Sequence, residues 1–119
     1  MSKTDKYNLE ERTIKFSEEI IVFARSFKKD IVSFPLVSQL IRSATSIGAN
    51  YFEANGVSSK KDFKNKIYLC KKEARETKYW LQLIAKANPE HQARSRQLWQ
   101  EAQELTLIFS KIIITLEAK

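Results

Sequence analysis

The sequence predicts an all-α protein, an antiparallel up-down-up-down four-helix bundle, and three observations predict it. Its 119 residues include only two glycines and two prolines, far below average usage, which leaves little material for hairpins and tight turns. Arg, Lys, Glu, Gln, Leu, Ala and Ile dominate what remains, a composition that favours helix. Apolar residues recur at three-, four- and seven-residue spacing, and no segment of useful length alternates with period two.

The first helix is expected over about 9–29. It begins after Asn8, with Glu11 three residues on in an N-x-x-E capping arrangement, and carries Leu9, Phe16, Ile20, Phe23 and Phe27 on one face. Ser33-Phe34-Pro35 interrupts the chain, because a residue before proline avoids helical angles while proline suits a first turn. The second helix then covers about 35–54 and is expected to end at Asn55-Gly56, residues that tolerate left-handed angles. Ser58-Ser59 followed by Asp62 caps a third helix of about 59–87. Asn88-Pro89 separates it from a fourth of about 90–118. Short connections between helices of 20–30 residues, roughly 30–45 Å long, favour antiparallel neighbours within one domain, 1–119.

The charge is concentrated. Residues 60–89 hold nine basic side chains against three acids, a surplus of six in a chain whose net charge is +7. On a helix, Lys61, Tyr68, Lys72, Arg75, Tyr79 and Lys86 lie within about 60° of one another, with Lys64 adjoining them. Phe63, Ile67, Cys70, Ala74, Thr77, Leu81 and Ile84 form the opposite stripe. A single-sign face with two tyrosines set into it suits a polyanion; a merely solvated face would show the same charge pattern.

Two helices carry more apolar surface than one bundle core covers. In the second, Leu36, Leu40, Ala44, Ile47 and Tyr51 form one stripe, and Val37, Ile41, Gly48 and Phe52 widen it. In the fourth, Leu105, Phe109, Ile112 and Leu116 face one way while Leu107 and Ile114 point nearly opposite. Ile41, Phe52, Leu107 and Ile114 are therefore expected at contacts between subunits, the alternative being scattered surface hydrophobes.

Conventional catalytic machinery is missing. One cysteine and one histidine make no conventional zinc site, and two glycines exclude phosphate loops and nucleophile elbows. His91 reads as solvent-exposed, Cys70 as a small buried hydrophobe, and Glu73/Glu76 as surface partners of Lys72 and Arg75. No enzymatic activity, metal, cofactor or small-molecule substrate is expected. The polar stretch from Met1 to Glu11 resembles no signal peptide, and no apolar run approaches a membrane span, so a cytoplasmic protein is expected.

Gln39, Arg42, Ser46, Asn50 and Glu53 form a polar row about 80° wide on the second helix. The row reads as a structural seam to a neighbouring helix or subunit, with Arg42 meeting an acid; a ligand-contact row is the other reading.

The run from Gln39 through Arg42, Ser46, Asn50 and Glu53 to Gly56 resembles the Q-x-x-R-x-x-x-S-x-x-x-N-x-x-E-G-type signature of the small bacterial bundle proteins of 23S rRNA intervening sequences. Asn8 to Thr13 is similar to that family's opening and Lys72 to Leu81 to its third-helix block, so the likeness covers about residues 8–116. One departure is that Ala54-Asn55 intervene before Gly56, which lengthens that corner. The resemblance implies a homopentamer with no established enzymatic role. The accessory variability protein of diversity-generating retroelements resembles the same fold, and that likeness implies a basic pentamer binding nucleic acid and a reverse transcriptase.

Two functions are thereby expected. The first is a nucleic-acid-binding accessory protein in which Lys61, Lys64, Lys72, Arg75 and Lys86 meet phosphates of RNA or DNA while Tyr68 or Tyr79 stacks on bases. The second is a scaffold whose basic face docks an acidic protein such as a reverse transcriptase.

Overall fold

The computed structural model describes residues 7–118, and the remainder of the expected 1–119 domain lies outside the described residues. Four helices, α1 (Leu9–Arg25), α2 (Ser33–Ala54), α3 (Lys60–Ala87) and α4 (Gln92–Glu117), account for nearly all of it, with one 3-10 turn at Pro89–His91. There is no strand among the described residues.

Contacts between neighbouring helices run in opposite sequence order, which makes each pair antiparallel. From one end of the α2–α3 seam to the other, Lys66 meets Glu53, Cys70 meets Ile47 and Thr77 meets Ser43. Along α3–α4, Tyr68 meets Glu117, Lys78 meets Gln103 and Leu81 meets Ser95. The α1–α4 side is closed by charge: Arg12 forks onto Glu101 and Glu104 at 2.7 Å each, and Glu19 meets Arg94 at 3.6 Å. The molecule measures 47 × 20 × 19 Å.

Phe16 and Ile20 of α1, Leu40 and Ile47 of α2, Ile67, Leu81 and Ile84 of α3, and Leu98, Leu105 and Phe109 of α4 are fully buried. Each contributes about 1.5–3 kcal/mol by leaving water. Apart from Leu98, which extends the fourth-helix stripe toward its start, these residues belong to the apolar stripes expected from the helical period. Where α1 crosses α2, a side chain at Gly48 would place its Cβ only 3.2 Å from Thr13 Oγ1, so a residue without a Cβ suits this close approach.

Helix ends differ from expectation in several places. Asn8 adopts left-handed angles (φ 50°, ψ 44°) and its side chain makes no cap bond, so the N-x-x-E box does not form. The first helix stops at Arg25 rather than near 29, and the Ser26 hydroxyl donates to the carbonyl of Phe23 at 2.6 Å. The second begins at Ser33, two residues earlier than expected, because Asp30 caps it: the Asp30 carboxylate accepts from the amides of Val32 (3.0 Å) and Ser33 (2.7 Å). Pro35 then falls in a first turn whose amides need no intrahelical partner. At the far end Asn55 is right-handed (φ −72°) and no described glycine has positive φ. Right-handed turn bonds, Asn55 N–H to Tyr51 and Gly56 N–H to Glu53, close that corner instead.

The Ser59 cap forms as expected, accepting from the Asp62 amide at 3.0 Å. At the Asn88-Pro89 break, the Ser33 hydroxyl donates to Asn88 Oδ1 at 3.1 Å while the Asn88 amide donates to the carbonyl of Ile84. His91 is not left in solvent. It stacks on Phe27 with ring centroids 4.1 Å apart and meets Phe23 edge-on, which fastens the loop after α1 to the α3–α4 corner.

Candidate nucleic-acid interface

The third helix sets its charges by phase. Ile67, Cys70, Ala74, Thr77, Leu81 and Ile84 face the core, and Phe63 is half-buried. With that stripe fixed inward, Lys61, Tyr68, Lys72, Arg75, Tyr79 and Lys86 are exposed and Lys64 is half-buried. Cys70 is buried with its thiol directed at the carbonyl of Ile47, and burial pushes that thiol up to about 12.

Two shallow clefts punctuate the basic face. One, of about 550 Å³, is bordered by Tyr68, Lys71, Lys72, Arg75, Glu76 and Tyr79. The other, of about 480 Å³, is bordered by Lys60, Lys61, Lys64, Leu116 and Glu117. Lys60, Lys61, Lys64, Lys71, Lys72, Arg75 and Lys86 make no ion pair among the described residues. By contrast Lys66 is bound to Glu53 at 2.6 Å and Lys78 donates to Gln103 at 2.6 Å. Partial burial, then the charge of Arg75, holds the Lys78 ammonium below its ordinary range.

The two tyrosines are held differently. The Tyr68 hydroxyl donates to Glu117 at 2.5 Å, a bond that raises its pKa above the ordinary value and fixes the ring at the junction of the clefts. Tyr79 is 54% exposed, and its ring meets that of Trp80 at a steep angle with 5.0 Å between centroids.

The polar row of α2 meets α3. The Arg42 guanidinium pairs with Glu73 at 3.3 Å and with Glu76, and accepts support from Gln39 by donating to its carbonyl at 2.9 Å. Trp80 Nε1 also donates to Glu76, at 2.9 Å. Glu73 and Glu76 thus pair across the seam with Arg42 rather than along the helix with Lys72 and Arg75, because the register of α2 brings a guanidinium between them. Glu53 holds Lys66, whereas the Ser46 hydroxyl and Asn50 amide donate to carbonyls one turn back on their own helix.

Lys60 and Lys71 also belong to this face, and the 100° rotation per residue reaches both of them. Glu117 comes from the far end of the chain, and no spacing signal connects it with Tyr68. Of the four apolar residues expected at subunit contacts, Phe52, Leu107 and Ile114 are 72%, 58% and 67% exposed. Ile41 is different: it is half-buried and packs against the chain's own core, since the close approach of α1 covers that flank of α2. Among the described residues no three His, Cys, Asp or Glu side chains converge to hold a metal, and no helix is long and apolar enough to cross a membrane.

An all-α bundle with one unneutralised basic helix face is the class that this geometry defines. The chain belongs to the 23S rRNA-intervening sequence protein family, whose model matches residues 5–111. It is similar to the crystal structure of a protein of unknown function from the S23 ribosomal protein family of Bacteroides thetaiotaomicron VPI-5482, at 28% identity and a TM-score of 0.78, over 88% of this chain and 97% of that one. No curated protein matches the chain.

Proposed function

We propose that this is a non-enzymatic accessory protein that binds RNA or DNA along α3 and works as a homo-oligomer, a ring of five. One observation carries the reading: seven cations share a face of α3 and none has an acidic partner among the described residues. Cations left unpaired by their own fold are available to phosphates, and each phosphate neutralised releases condensed counterions. Lys61, Lys64, Lys72, Arg75 and Lys86 contact the backbone, and Tyr79, held edge-on by Trp80, offers a ring for a base to stack on. Nothing on this face reads base edges in a fixed pattern, so recognition is mostly electrostatic.

Assembly supports binding by multiplication. Phe52, Leu107 and Ile114 leave apolar surface in water on two helices, and a repeated contact between unlike surfaces closes into a ring when its rotation permits. Five copies would carry roughly +35 and bind a long strand at several points.

Filter binding to single-stranded RNA, structured RNA and DNA at about 50 mM salt, with light scattering of the free protein, tests both parts. Retention of nucleic acid and a mass of about 70 kDa, five times the 13.9 kDa chain, are expected. No retention sinks the first part, and a mass near 14 kDa sinks the second. An acidic protein that co-purifies after nuclease treatment, with no nucleic acid retained, would favour the scaffold function instead.

A further inference from the structure

Two exposed rows, one on the first helix and one on the last, are complementary to each other. On α1, Ile14, Glu18, Ile21 and Arg25 are all exposed and share one outward face. On α4, Glu104, Leu107, Lys111 and Ile114 are exposed in the same way, within about 80° of one another. Ile21 and Arg25 also border an apolar groove of about 590 Å³ between α1 and α2, lined further by Phe34, Val37 and Ile41 and by no carboxylate. Glu18, Arg25 and Lys111 make no ion pair among the described residues. Glu104 gives one oxygen to Arg12, yet its side chain remains 59% exposed. Laid antiparallel, the rows set Arg25 against Glu104, Ile21 against Leu107, Glu18 against Lys111 and Ile14 against Ile114, over roughly 15 Å. Every charge then meets its opposite and every apolar residue another apolar one. Laid parallel, the same rows place Glu104 beside Glu11 and leave Arg25 past the end of α4.

We propose that the α4 row of one copy of this chain docks antiparallel along α1 of the next copy, at the edge of the α1–α2 groove. One chain cannot make this contact with itself. Arg12 is fastened to Glu101, which leaves Ile114 roughly 20 Å farther along α4 and out of reach of Ile14. The inference rests on the reading of the protein as a homo-oligomer, and it names the two faces of the repeated contact. Because those faces differ, two docked copies still offer one free α1 row and one free α4 row, and the contact repeats until rotation closes it. Neither row uses a cation of α3, so the basic face stays open in the assembly.

Light scattering of the full chain across a concentration series tests it, with variants at exposed positions. Glu18→Lys and Lys111→Glu each oppose like charges, and each should raise the concentration of half-assembly about tenfold. Glu18→Lys/Lys111→Glu together should restore the native value. Oxidation of Ile14→Cys/Ile114→Cys should link chains into multimers on a non-reducing gel, whereas Ile14→Cys/Leu107→Cys should link far fewer. A native chain that assembles while both single charge variants assemble unchanged, or a double variant that fails to recover, overturns this contact and leaves the homo-oligomer intact. Cross-linking through Leu107→Cys in preference to Ile114→Cys overturns the antiparallel order. A native mass near that of the 13.9 kDa chain at every concentration overturns the contact and the homo-oligomer together.

Discussion

Arg42 on α2 is paired with Glu76 on α3, and Glu76 borders the same cleft as Lys72, Arg75 and Tyr79. The pair does two jobs at once. It joins two helices through a bond shared with Glu73, and it neutralises two acids that flank the basic face. Through Arg42, the polar row of α2 therefore protects the positive potential of α3.

Arg42→Gln should accordingly weaken RNA binding by about threefold, since two freed carboxylates then oppose the neighbouring cations. It should also lower stability by about 1 kcal/mol, the scale of a partly exposed charged hydrogen bond. The triple change Arg42→Gln/Glu73→Gln/Glu76→Gln should recover most of the binding. Titration of the three proteins at fixed salt checks this, and failure of the triple variant to recover would make Arg42 a direct contact.

The phase of α3 is tested by substitutions two residues apart. Ala74 is fully buried, so Ala74→Lys forces a charge into the core and should cost several kcal/mol or prevent folding. Lys72→Glu, on the exposed face, should leave the melting temperature within a few degrees while impairing nucleic-acid binding. Equal thermal damage from both would mean that the helical phase is wrong.

Asp30 supplies a prediction about pH. Its amide partners at Ser33 and Val32 lower its pKa below the ordinary carboxylate value, with Ser33 the larger cause. A depressed carboxylate stabilises the fold at pH values above its unfolded pKa, and that contribution is lost as pH falls through the folded one. Asp30→Ala should lower the melting temperature by a few degrees at neutral pH and by progressively less in acid. Asp30→Asn, which keeps an acceptor for the two amides, should lose less and show little of the pH dependence. Thermal melts between neutral and strongly acidic pH measure both.

Much of the fold was legible because helical period and core position agree along α2, α3 and α4. The Ser59 cap could be read because donor and acceptor lie three residues apart in a familiar order. The start of α2 could not: Asp30 caps from beyond Ser33-Phe34-Pro35, and the proline drew the boundary to itself. His91 was misread because its partner, Phe27, becomes a neighbour only when two chain corners come together. The basic face of α3 follows from local phase alone. The partners of Glu73, Glu76 and Tyr68 depend on how α2 and the end of α4 register against α3, which no local spacing encodes. Ile41 illustrates the same limit, since α1 determines how much of it remains outside.

The proposed function stands on nucleic acid binding through the unpaired cations of α3. Its most direct test is the slope of log affinity for single-stranded RNA against log salt, measured for the native chain and for Lys61→Gln/Lys72→Gln/Arg75→Gln. All three positions are exposed and outside the core, so the variant should fold normally. The native slope should be steep, and the variant's slope should be shallower by about two, since each lost phosphate contact on a single strand removes about 0.7. A flat native slope, or equal slopes for the two proteins, would contradict the claim.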